Sequence, residues 1–88
     1  GEPMAMQDDL LTMLGYMALE GDQPEKARAI FELLVEYYPV SADAHSALAE
    51  GFEAEGDWER ALHHARLAFS LSGSEAHAAQ IEALTDPR

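Results

Sequence analysis

The chain has 88 residues, which is room for one small domain. Seventeen acidic residues against five basic ones give a net charge of -12, which opposes nucleic acid and anionic membrane surfaces, since both select clustered Lys and Arg. Apolar residues make up 48%, enough surface to fold, and the lack of cysteine excludes a disulfide framework and thiolate chemistry.

Residues 1–7 read as an N-terminal extension, and Gly1, where an initiator Met would stand, suggests a tag remnant or a piece of a longer protein. Few β-branched residues argue against strands, and helical spacing is clear instead. Leu10, Leu11, Leu14, Met17 and Ala18 predict one buried stripe of a first helix. Gly21-Asp22-Gln23-Pro24-Glu25 predicts a break, with Gly21 as the left-handed cap, Asp22 accepting from first-turn amides and Glu25 at the capping-box position. Ala27, Ile30, Phe31, Leu34, Val35 and Tyr38 form the second stripe, which Pro39 ends, and Ser41 offers the next N-cap. The third stripe is Ala44, Leu48, Ala49 and Phe52, followed by Gly56-Asp57 and a helix opened by Trp58. Ala61, Leu62, Ala65, Ala68 and Phe69 make the fourth. Ser72-Gly73-Ser74-Glu75 then reads as an S-x-x-E start for a weaker fifth helix with Ala78, Ile81 and Leu84 inward. The expected class is all-α. Glu32, Glu36 and Glu53 interrupt the longest apolar stretches, so neither a membrane span nor a signal core is expected, and the cytoplasm is the expected location.

A shift of 34 residues lays Leu14 on Leu48, Gly15 on Ala49, Ala27 on Ala61, Leu34 on Ala68 and Val35 on Phe69. The Gly-Asp pairs are 35 apart, one residue out of step. Small residues at Gly15/Ala49 and Ala27/Ala61 allow two helices to approach closely. In this pattern the chain resembles the tetratricopeptide repeat family, whose period is also 34 residues. One repeat, residues 8–41, shows Leu11..Leu14-Gly15..Ala18 and Ala27...Phe31..Leu34....Pro39. The other, residues 42–75, shows His45..Leu48-Ala49..Phe52, Gly56-Asp57-Trp58 and Ala61...Ala65..Ala68, and residues 76–88 are a capping helix and tail. His45, Ala18 and Ala65 depart from the family's large apolar residues, and Gly73 stands where proline is common. The resemblance implies a right-handed α-solenoid of antiparallel helix pairs.

No catalytic or metal constellation accompanies this pattern. H-E-x-x-H is absent, and His63 and His64 point about 100° apart on one helix, too far to share an ion. His45 reads as a polar-tipped filler and His77 as exposed. No G-x-S-x-G elbow or Gly-rich phosphate loop exists, so no enzyme activity and no cofactor are expected. Phe31, Phe52 and Trp58 are expected in the core, one of Tyr37 and Tyr38 over the seam between repeats, and Tyr16 as an exposed contact.

What the resemblance implies is a concave groove lined by the first helix of each repeat. Its residues here would be Asp9, Thr12, Tyr16, Leu19 and Glu20, then Asp43, Ser46, Glu50, Glu53 and Ala54. The groove would be acidic and suit a basic or amphipathic protein segment, with charge reversal at Glu50 and Glu53 weakening such a partner without unfolding. The family's Lys/Asn/Arg clamp for a C-terminal carboxylate is absent. Two other roles follow from the same residues. Met4, Met6, Leu10, Met13 and Met17 leave the N-terminal end apolar and without a cap, which favours self-association into a homodimer. The stretches Leu14-Gly15-Tyr16, Ala29-Ile30-Phe31 and Ser46-Ala47-Leu48-Ala49-Glu50-Gly51 also resemble repeat tails of bacterial serine hydrolases, and small secretion chaperones belong to the same repeat class.

Overall fold

The computed structural model describes the backbone of residues 3–85 and the side chains of residues 10–85. Five helices follow in order: α1 (Pro3–Glu20), α2 (Pro24–Tyr37), α3 (Ala42–Ala54), α4 (Trp58–Ser72) and α5 (Glu75–Thr85). No strand occurs among the described residues. Each helix packs against the next, and α1 also touches α3. Met4, Met6 and Asp9 lie outside the described side chains.

The turns repeat more closely than the sequence suggests. In the α1–α2 turn the left-handed residue is Asp22 (φ 60°), not Gly21, and its counterpart in the α3–α4 turn is Gly56 (φ 83°). Those two positions are 34 apart, so the one-residue slip between the Gly-Asp pairs disappears in the backbone. The hydrogen bonds agree. Gly21 N, Asp22 N and Gln23 N donate to Met17, Leu19 and Ala18 carbonyls, while Glu55 N, Gly56 N and Asp57 N donate to Gly51, Glu53 and Phe52 carbonyls. The N-cap of α2 is therefore Gln23, with no side-chain cap bond, and neither Asp22 nor Glu25 forms the expected box. Asp57 caps α4 through Arg60 N, and Ser41 caps α3 through Ala44 N. At α5 the hydroxyl that accepts from the first turn (His77 N) is Ser74, not Ser72, because Gly73 turns left-handed (φ 67°) to close α4.

The core sets small residues around a few large side chains, Phe31 and Leu34 the most deeply buried of them. Ala27, Ala49, Ala61, Ala65 and Ala68 are fully buried, which lets the helices approach closely. Phe31 of α2 is also fully buried, and its ring lies against Gly15 of α1 on one side and Gly51 of α3 on the other. A Cβ at Gly51 would sit 3.0 Å from Arg28 Cα, so α2 and α3 come nearly into backbone contact. Arg28 ties the same two helices at the surface. Its Nε donates to Glu55 Oε1 at 2.8 Å and its NH2 to Oε2 at 3.3 Å, with Glu32 adding a third contact at 3.1 Å. The hydrogen bond to Glu55 chiefly holds the guanidinium above its usual pKa range, against a smaller opposing effect of burial. Because the pair is partly exposed, Arg28→Ala is expected to cost only about 1 kcal/mol. Thermal melting should fall by roughly 4–8 °C, and most of that difference should vanish in 1 M salt.

Several expected burials change. Leu10, Leu14 and Met17 are exposed, at 51%, 41% and 59%, because nothing among the described residues packs over that side of α1. Trp58 is 48% exposed, since it opens α4 in the first turn, beyond the contact between α3 and α4. Phe69 is exposed as well. His77 is buried rather than exposed, because the α4–α5 turn folds Ser72 and Ser74 against its Nδ1 at 2.6 Å and 3.0 Å.

Candidate functional site

Three side-chain contacts, each between residues 34 apart, run across α1, α3 and α5. Tyr16 OH donates to Glu50 Oε2 at 2.9 Å. Ser46 Oγ meets Gln80 Oε1 at 2.9 Å, and Gln80 Nε2 donates to the Ser46 carbonyl at 3.0 Å. His77 Nε2 lies 3.6 Å from Asp43 Oδ1. The odd-numbered helices therefore present one shared face. Gln80 and His77 were missed as members of that face, although extending the 34-residue shift beyond Ser46 and Asp43 points directly to them.

This face gathers Tyr16, Asp43, Glu50 and Glu53. Tyr16 is not the exposed contact expected of it. Its ring packs edge-on against Phe31, with centroids 5.1 Å apart, and its hydroxyl is committed to Glu50. Burial, then the Glu50 charge, push the Tyr16 hydroxyl pKa well up, with Asp43 adding to it. Glu50 is half-buried, and burial raises its pKa, helped by repulsion from Glu53 and opposed by the Tyr16 hydrogen bond. Asp43, Glu53 and Glu20 are exposed, while Leu19 packs against the core and Ser46 is held by Gln80. Thr12 is partly buried on α1. Among the described residues no Lys or Arg pairs with Asp43, Glu50 or Glu53. The arrangement is a patch of negative charge, one carboxylate of which is fixed in place.

A second polar cluster joins α3 to α4. His45 Nδ1 and His64 Nδ1 are 3.0 Å apart, and His45 Nε2 is 2.8 Å from the Pro39 carbonyl. A carbonyl only accepts, so His45 Nε2 carries the proton and donates it, which leaves Nδ1 to accept from His64 Nδ1–H. The His64 ring also stacks on Phe52, and the Arg60 guanidinium lies 5.9 Å from the centre of the Phe52 ring. Burial, then the neighbouring His45 and His63, lower the His64 pKa to about 4. His45 is thus the filler expected of it, but with a partner 19 residues away that spacing along the chain does not reveal. No group of three or more His, Asp or Glu among the described residues is placed to hold a metal ion.

The third feature is apolar. Leu10, Met13, Leu14 and Met17 are all exposed on α1. Leu10 and Leu11 line a shallow open groove with Leu33 and Tyr37 of α2, and Leu14 and Met17 line another with Ile30 and Lys26. No helix of the described residues is long and apolar enough to cross a membrane. No protein-family model and no curated protein sequence matches the chain.

Proposed function

We propose that the chain is a two-repeat helical solenoid of the tetratricopeptide kind, right-handed and built from antiparallel helix pairs, acting as a non-catalytic protein–protein interaction module. The observation that carries this reading is the set of side-chain contacts 34 residues apart, Tyr16–Glu50, Asp43–His77 and Ser46–Gln80, which line up α1, α3 and α5. Matching turn hydrogen bonds at Gly21–Gln23 and Glu55–Asp57 support the same repeat. Among the described residues the carboxylates of this face have no Lys or Arg partner, so its natural ligand is a basic or amphipathic protein segment that supplies positive charge.

Charge reversal at Glu50 is a poor test, because it would bury an ammonium group and strip Tyr16 of its acceptor. Asp43 and Glu53 are exposed and better suited. A labelled amphipathic peptide of Leu and Lys, titrated by fluorescence anisotropy, is expected to bind and to lose roughly tenfold in affinity on Asp43→Asn with Glu53→Lys. Helicity by circular dichroism should be unchanged. Equal binding of a Leu/Glu peptide, or equal affinity of the double variant, would sink the assignment of this face.

A further inference from the structure

The exposed side of α1 has a counterpart within the same chain. Leu10, Met13, Leu14 and Met17 stand 34 residues before Ala44, Ala47, Leu48 and Gly51 of α3. In α3 all four are buried among neighbouring helices, with Gly51 directly against Arg28 and Phe31 of α2. In α1 the same positions are 41–59% exposed, and Leu10, Met13 and Met17 are large where α3 has Ala44, Ala47 and Gly51. Their spacing (i, i+3, i+4, i+7) is that of a helix–helix seam, and their bulk suits side chains that interdigitate with others of the same kind.

We infer that this seam is covered by α1 of a second copy of the chain, in a two-fold symmetric homodimer. Charge identifies the occupant. The chain has a net charge of -12, yet no Asp, Glu, Lys or Arg lies between Asp9 and Glu20, the longest stretch without one. Two such chains repel over most of their surface and can meet closely only where no charge is desolvated or opposed. The α1 seam comes nearest to that: among the described residues only Lys26 of α2 brings a charge to the groove beside Leu14 and Met17, and a two-fold axis gives each copy the apolar helix the other lacks. Leu33 and Tyr37, beside Leu10, widen the contact. This surface is separate from the acidic face of the proposed function, so either can fail alone.

Sedimentation velocity on the whole chain, from about 1 to 300 µM, tests the pairing. The expected result is a monomer–dimer equilibrium that tightens about three- to tenfold between 50 and 500 mM NaCl, because salt screens the repulsion of the two acidic chains. Met13→Glu with Met17→Glu, both on exposed positions, should weaken it at least 30-fold with helicity intact. The chain has no cysteine, so a single introduced thiol reports one contact. Leu14→Cys, near the middle of the seam, should oxidise to a disulfide-linked dimer. Val40→Cys, 78% exposed in the α2–α3 turn, should not. A monomer at 300 µM in both salts, a dimer indifferent to the charged variant, or an open-ended series of oligomers would each overturn the two-fold pairing.

Discussion

Gly15→Ala is expected to destabilise the chain by about 2 kcal/mol, although helix propensity alone predicts a gain of about 1 kcal/mol. A Cβ at Gly15 would overlap Phe31 Cε1 and lie 2.5 Å from Cζ and 2.7 Å from Cδ1. The ring has nowhere to retreat. Gly51 backs it on the far side, where a Cβ would already be 3.3 Å from Cδ2, and Tyr16 packs against it edge-on. Overpacking of this kind costs about 3 kcal/mol, which outweighs the propensity term. The net loss is a large fraction of the roughly 4–13 kcal/mol expected for a domain this size. Thermal melting should drop by roughly 8–16 °C. Phe31→Leu in the Gly15→Ala background should recover part of the loss, because a smaller side chain clears the overlap, and the double-mutant cycle then measures the coupling directly. A higher melting temperature for Gly15→Ala would mean that α1 and α2 are not in the contact described.

The second large effect is acid sensitivity at the His45–His64 pair. The folded His64 pKa lies near 4, below its unfolded value of 6.5. A depressed histidine contributes stability that is present above pH 6.5 and is lost as pH falls through the folded value, because the unfolded chain takes up the proton first. Protonating His64 while His45 keeps its bond to Pro39 still leaves one N–H···N contact, whereas a second proton sets two N–H groups against each other. Repulsion from His45 and His63, which lie against the same ring, adds to the cost. Since His64 is partly exposed, screening reduces the loss between pH 7.5 and 5 to about 1 kcal/mol, or roughly 4–8 °C in melting temperature. Glu50 acts in the opposite sense. Its raised pKa means the folded chain accepts that proton more readily, so stability rises slightly as pH falls toward the carboxylate range. Comparison with His64→Phe, which keeps a ring on Phe52 but cannot titrate, separates the two. The variant should be less stable at pH 7.5, having left His45 Nδ1 without a donor, and nearly flat between pH 7.5 and 5. Parallel pH profiles for both proteins would remove His64 as the sensor.

Much of this architecture was legible in the sequence. Helix limits followed from local rules: Pro39 stops α2, Ser41 and Asp57 start the next helices, and the apolar spacing in α2 and α3 marks buried sides. The 34-residue shift anticipated the small residues at Gly15, Ala49, Ala27 and Ala61, and the structure buries all four, with Gly15 directly against Phe31. The groove residues on α1 and α3 were named, but their roles were not. Tyr16 reads as an exposed aromatic until Phe31 and Glu50 are placed beside it.

The turns show where local reasoning stops. Gly21 looks like the left-handed residue because glycine is permissive, yet Asp22 takes that conformation. Its position matches Gly56, and the same hydrogen bonds back to the preceding helix close both turns, so the left-handed residue is set by where the helix ends rather than by where glycine stands. His77 is a similar case. A polar residue in a first turn is expected in water, but Ser72, Ser74 and Asp43 surround it once α5 folds back.

The sequence by itself determined five helices, a period of 34 residues and most helix boundaries to within a residue or two (α1 starts at Pro3, inside the stretch read as an extension), because capping, backbone stops and side-chain periodicity act over a few neighbouring positions. Tertiary structure alone decided which apolar stripes are covered and which polar groups meet. Periodicity marks a side of a helix as apolar; whether another helix lies over it depends on chain segments far away. So α3 buries Ala44, Ala47, Leu48 and Gly51, whereas α1 leaves Leu10, Met13, Leu14 and Met17 in water.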